Sequence, residues 1–195
     1  SITAVENSQL WEFNPAGLGY SYGATVIART NYNSKWALIV PNGYAAGGKP
    51  QLYIREINNP TVVIKDFGLG SLVNAPLGNG LSSPAAIDID NDYKVDYIYA
   101  GDLDGNLWRF NVKSSTTPDS NWSATKIFTA TDGSTSQPIM AAPQLALTAQ
   151  GEVMVYFGTG SLWNISSSTK NTLYAFKDDL GSVVTPYNRN QHMHA

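Results

Sequence analysis

Tyr97-Ile98-Tyr99-Ala100-Gly101-Asp102-Leu103-Asp104-Gly105-Asn106-Leu107-Trp108-Arg109-Phe110-Asn111 is the stretch on which the fold turns. Its two ends are short runs of aromatic and aliphatic residues, the kind that fit a pleated, half-buried surface. Between them Asp104-Gly105-Asn106 supplies turn chemistry, with a glycine free to take the positive φ that tight hairpins demand. Strand, glycine turn and aromatic strand read as a hairpin. The unit recurs. Leu10-Trp11-Glu12-Phe13-Asn14 and Leu173-Tyr174-Ala175-Phe176-Lys177 share the Leu-aromatic-x-Phe core, and Leu52-Tyr53-Ile54 begins a looser copy. Apolar runs containing or ending in glycine, at 36–43, 97–101 and 153–160, precede three of these units. Recurrence at roughly 40 to 65 residues is the blade spacing of a β-propeller.

Working outward, short apolar runs bounded by Gly, Pro, Asn and Asp predict strands near 36–40, 51–57, 61–64, 96–100, 107–112, 153–157 and 172–176. Polar connectors are expected over 30–50, 113–126 and 164–172. No window keeps apolar residues at i, i+3, i+4 and i+7 over three turns without a Gly, Pro or β-branched break, so little helix is expected. The expectation is an all-β, β-propeller-like fold with three to four blades. A β-sandwich is the bland alternative, disfavoured by the repeated unit. Propellers usually have four to eight blades, so the 195 residues are expected to form one propeller-type domain over 1–195, or a portion of a larger modified ring.

Composition agrees with strands and turns. The chain is 43% hydrophobic, enough for a real core, and only 14% charged, with 17 Gly, 11 Tyr and 5 Trp. That mixture argues against helical bundles and coiled coils. A net charge of -3 argues against a nucleic-acid partner. Cysteine is absent, which removes disulfides, thiolate metal sites and thiol catalysis. No run of about 18 apolar residues is present to span a bilayer as a helix. The chain opens on Ser1 without a leader-like segment, as a mature protein or a piece of a longer one would, and this carries no information on compartment.

Six of the 15 acidic residues fall between Asp88 and Asp104. Asp88, Asp90, Asp92 and Asp96 occupy positions 1, 3, 5 and 9 of one loop, and Lys94 sits at position 7. Alternate carboxylates converging on one point repel unless a cation lies there. An all-oxygen set suits calcium, which takes 6–8 oxygen ligands; position 7 usually serves through its backbone carbonyl, leaving the Lys94 ammonium to point away. Magnesium prefers retained water and phosphate partners, and zinc prefers nitrogen and sulfur. A merely solvated acidic turn is disfavoured by the odd-position spacing and by the apolar flanks 85–87 and 97–99. The loop departs from an EF-hand at position 6, where Tyr93 replaces glycine, and at position 12, where Tyr99 replaces glutamate. Tyr93 is expected to impose strain or a different turn.

The segment 84–112, from Pro84-Ala85-Ala86-Ile87-Asp88 through Leu107-Trp108-Arg109-Phe110-Asn111-Val112, resembles the calcium loop and following hairpin of the PilC/PilY family of type IV pilus tip-associated adhesins of Gram-negative bacteria. Gln137-Pro138-Ile139, Ala142-Pro143-Gln144, Val155-Tyr156-Phe157-Gly158-Thr159-Gly160 and Leu173-Tyr174-Ala175-Phe176 are similar to that family as well. The resemblance covers about 84–180 and is thinner before 80. It implies a modified β-propeller in the C-terminal part of a large secreted protein, at the pilus tip or outer cell surface. It implies calcium held by Asp88, Asp90, Asp92, the Lys94 carbonyl and Asp96, with binding and release modulating pilus extension and retraction, twitching motility and adhesion. Pilins or minor pilins, and a host-cell surface receptor, are the implied partners.

Two rival classes share features. Quinoprotein dehydrogenases have a similar strand-Gly-aromatic repeat, but need about eight blades around PQQ and scattered calcium ligands. Integrin-like modules share the Asp-x-Asp-x-Asp spacing, but repeat it in several blades. No Gly-x-Ser-x-Gly elbow is present, and His192 and His194 lie in the terminal tail. Asn121-Trp122-Ser123 and Asn164-Ile165-Ser166 match the glycosylation triplet, a pattern common by chance. Asp102, Asp104 and the pair Asp178-Asp179 are expected to serve turns. The chain is expected not to be an enzyme.

Overall fold

The structure, a computed structural model, describes residues 11–44, 49–69, 79–162, 170–181 and 187–188. In chain order the elements are β1 (Val26–Arg29), a 3-10 turn at Tyr32–Ser34, β2 (Trp36–Pro41), β3 (Gln51–Glu56), β4 (Asn59–Gly68), β5 (Ala85–Ile87), β6 (Tyr97–Gly101) and β7 (Asn106–Asn111). There follow α1 (Pro118–Asn121), β8 (Ser123–Thr129), β9 (Thr131–Asp132), β10 (Thr135–Ser136), β11 (Gln144–Leu147), β12 (Val153–Gly158), β13 (Leu173–Asp178) and β14 (Tyr187–Asn188). Consecutive strands pair antiparallel into three blade-type meanders: β1-β2-β3-β4, β5-β6-β7-β8 and β11-β12-β13. β14 adds to β8 in parallel, and β9 and β10 form a separate small hairpin.

The three sequence hairpins are β2–β3, β6–β7 and β12–β13. The fourth copy of the motif behaves differently. Leu10 lies outside the described residues, and 11–14 form no strand; Phe13 instead sets its ring edge-on against Tyr53, 5.5 Å between centroids. Two segments expected to be polar connectors also hold strands, the first of these strands being the one expected near 36–40. β2 falls within 30–50, and the N-terminal part of β8 within 113–126, where the Ser-Ala-Thr-Lys start of the strand is too polar to stand out as a core run. Part of 164–172, with Asn164, and both tail histidines lie outside the described residues.

The second blade is the middle layer. Every residue of β6 is buried, because its alternating side chains have a core on each side. Ile98 and Ala100 join Ile39, Leu52, Ile54 and Phe67 of the first blade. Tyr97 and Tyr99 join Val153, Val155, Phe157 and Tyr174 of the third. Phe128 stacks into that second core against Phe157, Tyr174 and Phe176, at 4.9–5.5 Å between centroids.

Glycines act where the backbone is crowded or left-handed. Gly105 has φ +80 in the β6–β7 turn, and Gly43 has φ +69 after β2. A Cβ on Gly101 would collide with Ile139, so there the need is close approach rather than dihedral freedom. Gly158 shows neither requirement, having open space around it and no positive φ.

Candidate metal centre

The acidic loop is the β5–β6 hairpin connection. The register pairs Ile87 with Tyr97, and the Asp96 amide donates to the Ile87 carbonyl at 3.0 Å, so positions 88 and 96 stand side by side at the loop mouth. Hairpin closure, rather than local turn geometry alone, thus brings the first and last aspartates together. Asp88 organises the turn from within. Its Oδ1 accepts the amides of Asp90 and Asn91 at 3.2 and 2.8 Å, and its Oδ2 accepts that of Tyr93 at 2.7 Å. Asn91 and Tyr93 both carry left-handed backbone, with φ of 62° and 66°. Asparagine tolerates this conformation, whereas at Tyr93 it costs about 1–2 kcal/mol. The strain expected at the position usually held by glycine is therefore present, and the residue is 86% exposed.

Asp88, Asp90 and Asp96 each offer a carboxylate oxygen, and these oxygens lie within 4.8 Å of one another. Oxygens sharing one calcium ion can be separated by up to about twice its 2.3–2.6 Å bond length, so the three fit a common ion of that size. Asp96 forms the floor. It is 1% exposed; its Oδ2 accepts the Ile89 amide at 3.0 Å, and its Oδ1 accepts the Asn31 side-chain amide at 3.3 Å. Burial pushes its carboxyl above the usual range, and the nearby Asp90 charge adds to this, while the Ile89 and Asn31 hydrogen bonds oppose it.

The other two expected ligands are arranged differently. Asp92 Oδ2 accepts the Lys94 ammonium at 2.5 Å, and its Oδ1 accepts the Lys94 amide at 2.9 Å. This pairing holds the Asp92 carboxyl below the usual range, foremost through the side-chain hydrogen bond. The Lys94 ammonium thus engages a carboxylate of the loop instead of pointing away, because it is the nearest compensating charge. Lys113 does the same for Asp90, at 3.3 Å between Nζ and Oδ2.

Asn31 and Lys113 also meet the loop carboxylates, though neither belongs to the loop's sequence pattern. Asn31 lies 65 positions from Asp96, so only the packing of blade on blade could reveal it. Lys113 was closer to legible: β7 runs antiparallel to β6, and the Val112 amide donates to the Asp96 carbonyl at 2.9 Å, which delivers the next residue to the loop. Two of the other acidic residues have structural roles. Asp102 is fully buried and accepts the amides of Asp104 and Asn106 and the Trp108 indole N–H, a turn role with no solvent exposure. Asp178 is likewise buried, in an ion pair with Arg109 at 2.6 Å, and so does more than shape a turn.

Comparison with known proteins agrees with this architecture. Residues 7–190 match the family described as the PilY1 beta-propeller domain. The chain is similar to the type IV pilus biogenesis factor PilY1 of Pseudomonas aeruginosa: 30% identical over 202 residues in strain UCBPP-PA14 and 32% over 199 in strain PAO1, each covering 87% of this chain. It is also similar to a PilY1 homolog of Xylella fastidiosa strain Temecula1, 28% identical over 200 residues. The chain spans 17% of the length of the two Pseudomonas relatives and 14% of the Xylella one. Among solved structures, the P. aeruginosa PilY1 C-terminal domain aligns with a TM-score of 0.76 at 31% identity, over 87% of this chain and 40% of that one. With the repeated blades, their order and the family match in agreement, the chain belongs to the PilY1 beta-propeller domain family.

Proposed function

We propose that this chain is a calcium-binding propeller portion of a type IV pilus-associated surface protein, an adhesin that modulates pilus function rather than a catalyst. The observation that carries the calcium site is the convergence of Asp88, Asp90 and Asp96 within 4.8 Å at the mouth of one hairpin. These three carboxylates supply the core of the site. Asp92 joins when it exchanges the Lys94 ammonium for the ion, with the Lys94 carbonyl and water completing the shell. Four loop carboxylates against the two lysines paired with them, Lys94 and Lys113, leave a charge deficit that a divalent cation neutralises.

Bound calcium ties β5 to β6, the strand buried on both faces, and so stiffens the middle blade and the surface around it. In the intact protein, gain and loss of the ion at this loop modulates pilus extension and retraction, and hence twitching motility and adhesion. Pilins or minor pilins, and a host-cell surface receptor, are the partners of that outward-facing surface at the pilus tip. The type IV pilus role of the curated relatives supports this assignment.

The test is calorimetric titration of the chain with calcium chloride. A single site is expected, abolished in Asp88→Ala and in Asp96→Ala. Absence of calcium heat in the correctly folded wild-type chain would refute the site. For the pilus role, replacing Asp88 with alanine in the parent protein should alter twitching-zone diameter while leaving its surface level unchanged.

A further inference from the structure

The floor of the cation site is held from another blade. Asn31 follows β1 in the first blade, and its side-chain amide donates to both the Val95 carbonyl at 3.0 Å and Asp96 Oδ1 at 3.3 Å. The backbones join here as well: the Val95 amide donates to the Arg29 carbonyl at 2.8 Å, and Thr30 bridges Val95 in parallel. The turn that presents Asn31 is tightly specified. Thr30 is fully buried, its hydroxyl donates to the Tyr32 and Lys35 carbonyls, and Asn33 and Ser34 both have positive φ, 51° and 52°. The two oxygens of Asp96 are therefore oriented from two places, Oδ2 by the loop's own Ile89 amide and Oδ1 by the first blade.

We propose that Asn31 is a positioning residue that couples the 88–96 loop to the first blade, so that a divalent cation in the loop orders the β1–β2 turn and that turn in turn sets the cation affinity; this rests on the calcium-binding role of the loop. The ion draws on the lone pairs of a carboxylate whose orientation Asn31 maintains. Partners behind a metal ligand commonly change metal affinity by 10–100-fold when removed. Linkage makes the effect reciprocal: whatever the turn contributes to cation binding, the cation returns to the turn.

The experiment compares wild type, Asn31→Ala and Thr30→Val by calcium chloride titration and by amide hydrogen exchange, in calcium and in chelator. Thr30→Val removes a hydroxyl anchoring the same turn but not the link to Asp96, so it controls for general loosening. Asn31→Ala is expected to bind calcium about tenfold more weakly or worse, while Thr30→Val, which loosens the turn but keeps the link to Asp96, is expected to lose clearly less. Calcium is expected to slow exchange at the amides of Thr30, Lys35 and Val95 in wild type but not in Asn31→Ala. Should the alanine variant fold poorly, Asn31→Ser, too short to reach both acceptors, repeats the comparison. Unchanged affinity in Asn31→Ala, or turn amides indifferent to calcium in wild type, overturns the coupling. If wild type binds no calcium, the calcium role itself fails and the link is judged in chelator alone. There, faster exchange at the Ile89 amide in Asn31→Ala upholds the link, and unchanged exchange overturns it.

Discussion

Each charged side chain in the 88–96 loop has a balance that can be shifted singly. Lys113 and Asp90 are both about half exposed, so their ion pair contributes little by itself, about 0–1 kcal/mol. In the proposed calcium site its larger effect is on the cation, since an ammonium beside Asp90 both competes with and repels a divalent ion. Lys113→Met is therefore expected to tighten calcium binding by roughly two- to fivefold, more at low ionic strength, in a titration at two salt concentrations. Asp96 sets the pH response. Burial raises its folded-state pKa, so its protonated form favours the fold below an unfolded value of about 3.9, and that contribution is lost as pH rises through the raised value. At neutral pH the ionised, buried Asp96 is held by the Ile89 and Asn31 hydrogen bonds and the Lys113 charge, and in the proposed calcium-bound state the cation adds to that compensation. Calcium affinity is accordingly expected to fall on acidification at a pH above that of an ordinary aspartate; a Kd that stays flat down to about pH 4 would contradict this. At this scale the grouping of Asp88, Asp90 and Asp96 was legible from odd spacing together with the apolar flanks that predict the closing strands. The Asp92–Lys94 pairing was not, since spacing specifies which groups are near and not which of them exchange partners.

Between elements, the decisive contacts tie one blade to the next. Arg109 on β7 reaches Asp178 at the end of β13, with side chains 6% and 2% exposed. The guanidinium also donates to the Gly181 carbonyl at 2.6 Å, and the Tyr99 hydroxyl donates to the second Asp178 oxygen at 2.9 Å. Burial, reinforced by the Asp178 charge, pushes the Tyr99 phenol far up, so it remains a donor throughout the working pH range. Asp178→Ala leaves Arg109 buried and unpaired and is expected to cost about 3–5 kcal/mol in urea denaturation. Replacing both partners, Arg109→Met with Asp178→Leu, should restore much of that loss, because no uncompensated charge then remains. The strands joined by this clamp were readable from their apolar runs. The clamp was not: its residues stand 69 apart, and Asp178 beside Asp179 and Gly181 has the local look of a turn.

Across the whole molecule, three blade-type sheets lie with the second between the other two, so the loop of the middle blade is placed to affect its neighbours. A cation that binds only the folded chain stabilises it by mass action, about 2.7 kcal/mol at a hundredfold excess over Kd. Thermal melts should therefore shift upward in calcium and return in chelator, with no shift in Asp96→Ala. A wild-type melt indifferent to calcium at saturating concentration would contradict the site. From the residues alone one could read the all-β class, the hairpin repeat and the grouping of Asp88, Asp90 and Asp96, because strand alternation, glycine turns and loop spacing are local properties of short segments. That Asp92 turns to Lys94 could not be read in this way. The sequence also placed the apparent acidity in one loop: without the four loop aspartates the net charge of -3 becomes -3 + 4 = +1. That β6 is buried on both faces, that Asp178 pairs with Arg109 and that Asn31 holds Asp96 emerges from the packing of the blades. Those outcomes depend on how one blade stacks on the next, and the side chains that meet there are separated by a chain length over which no periodicity survives.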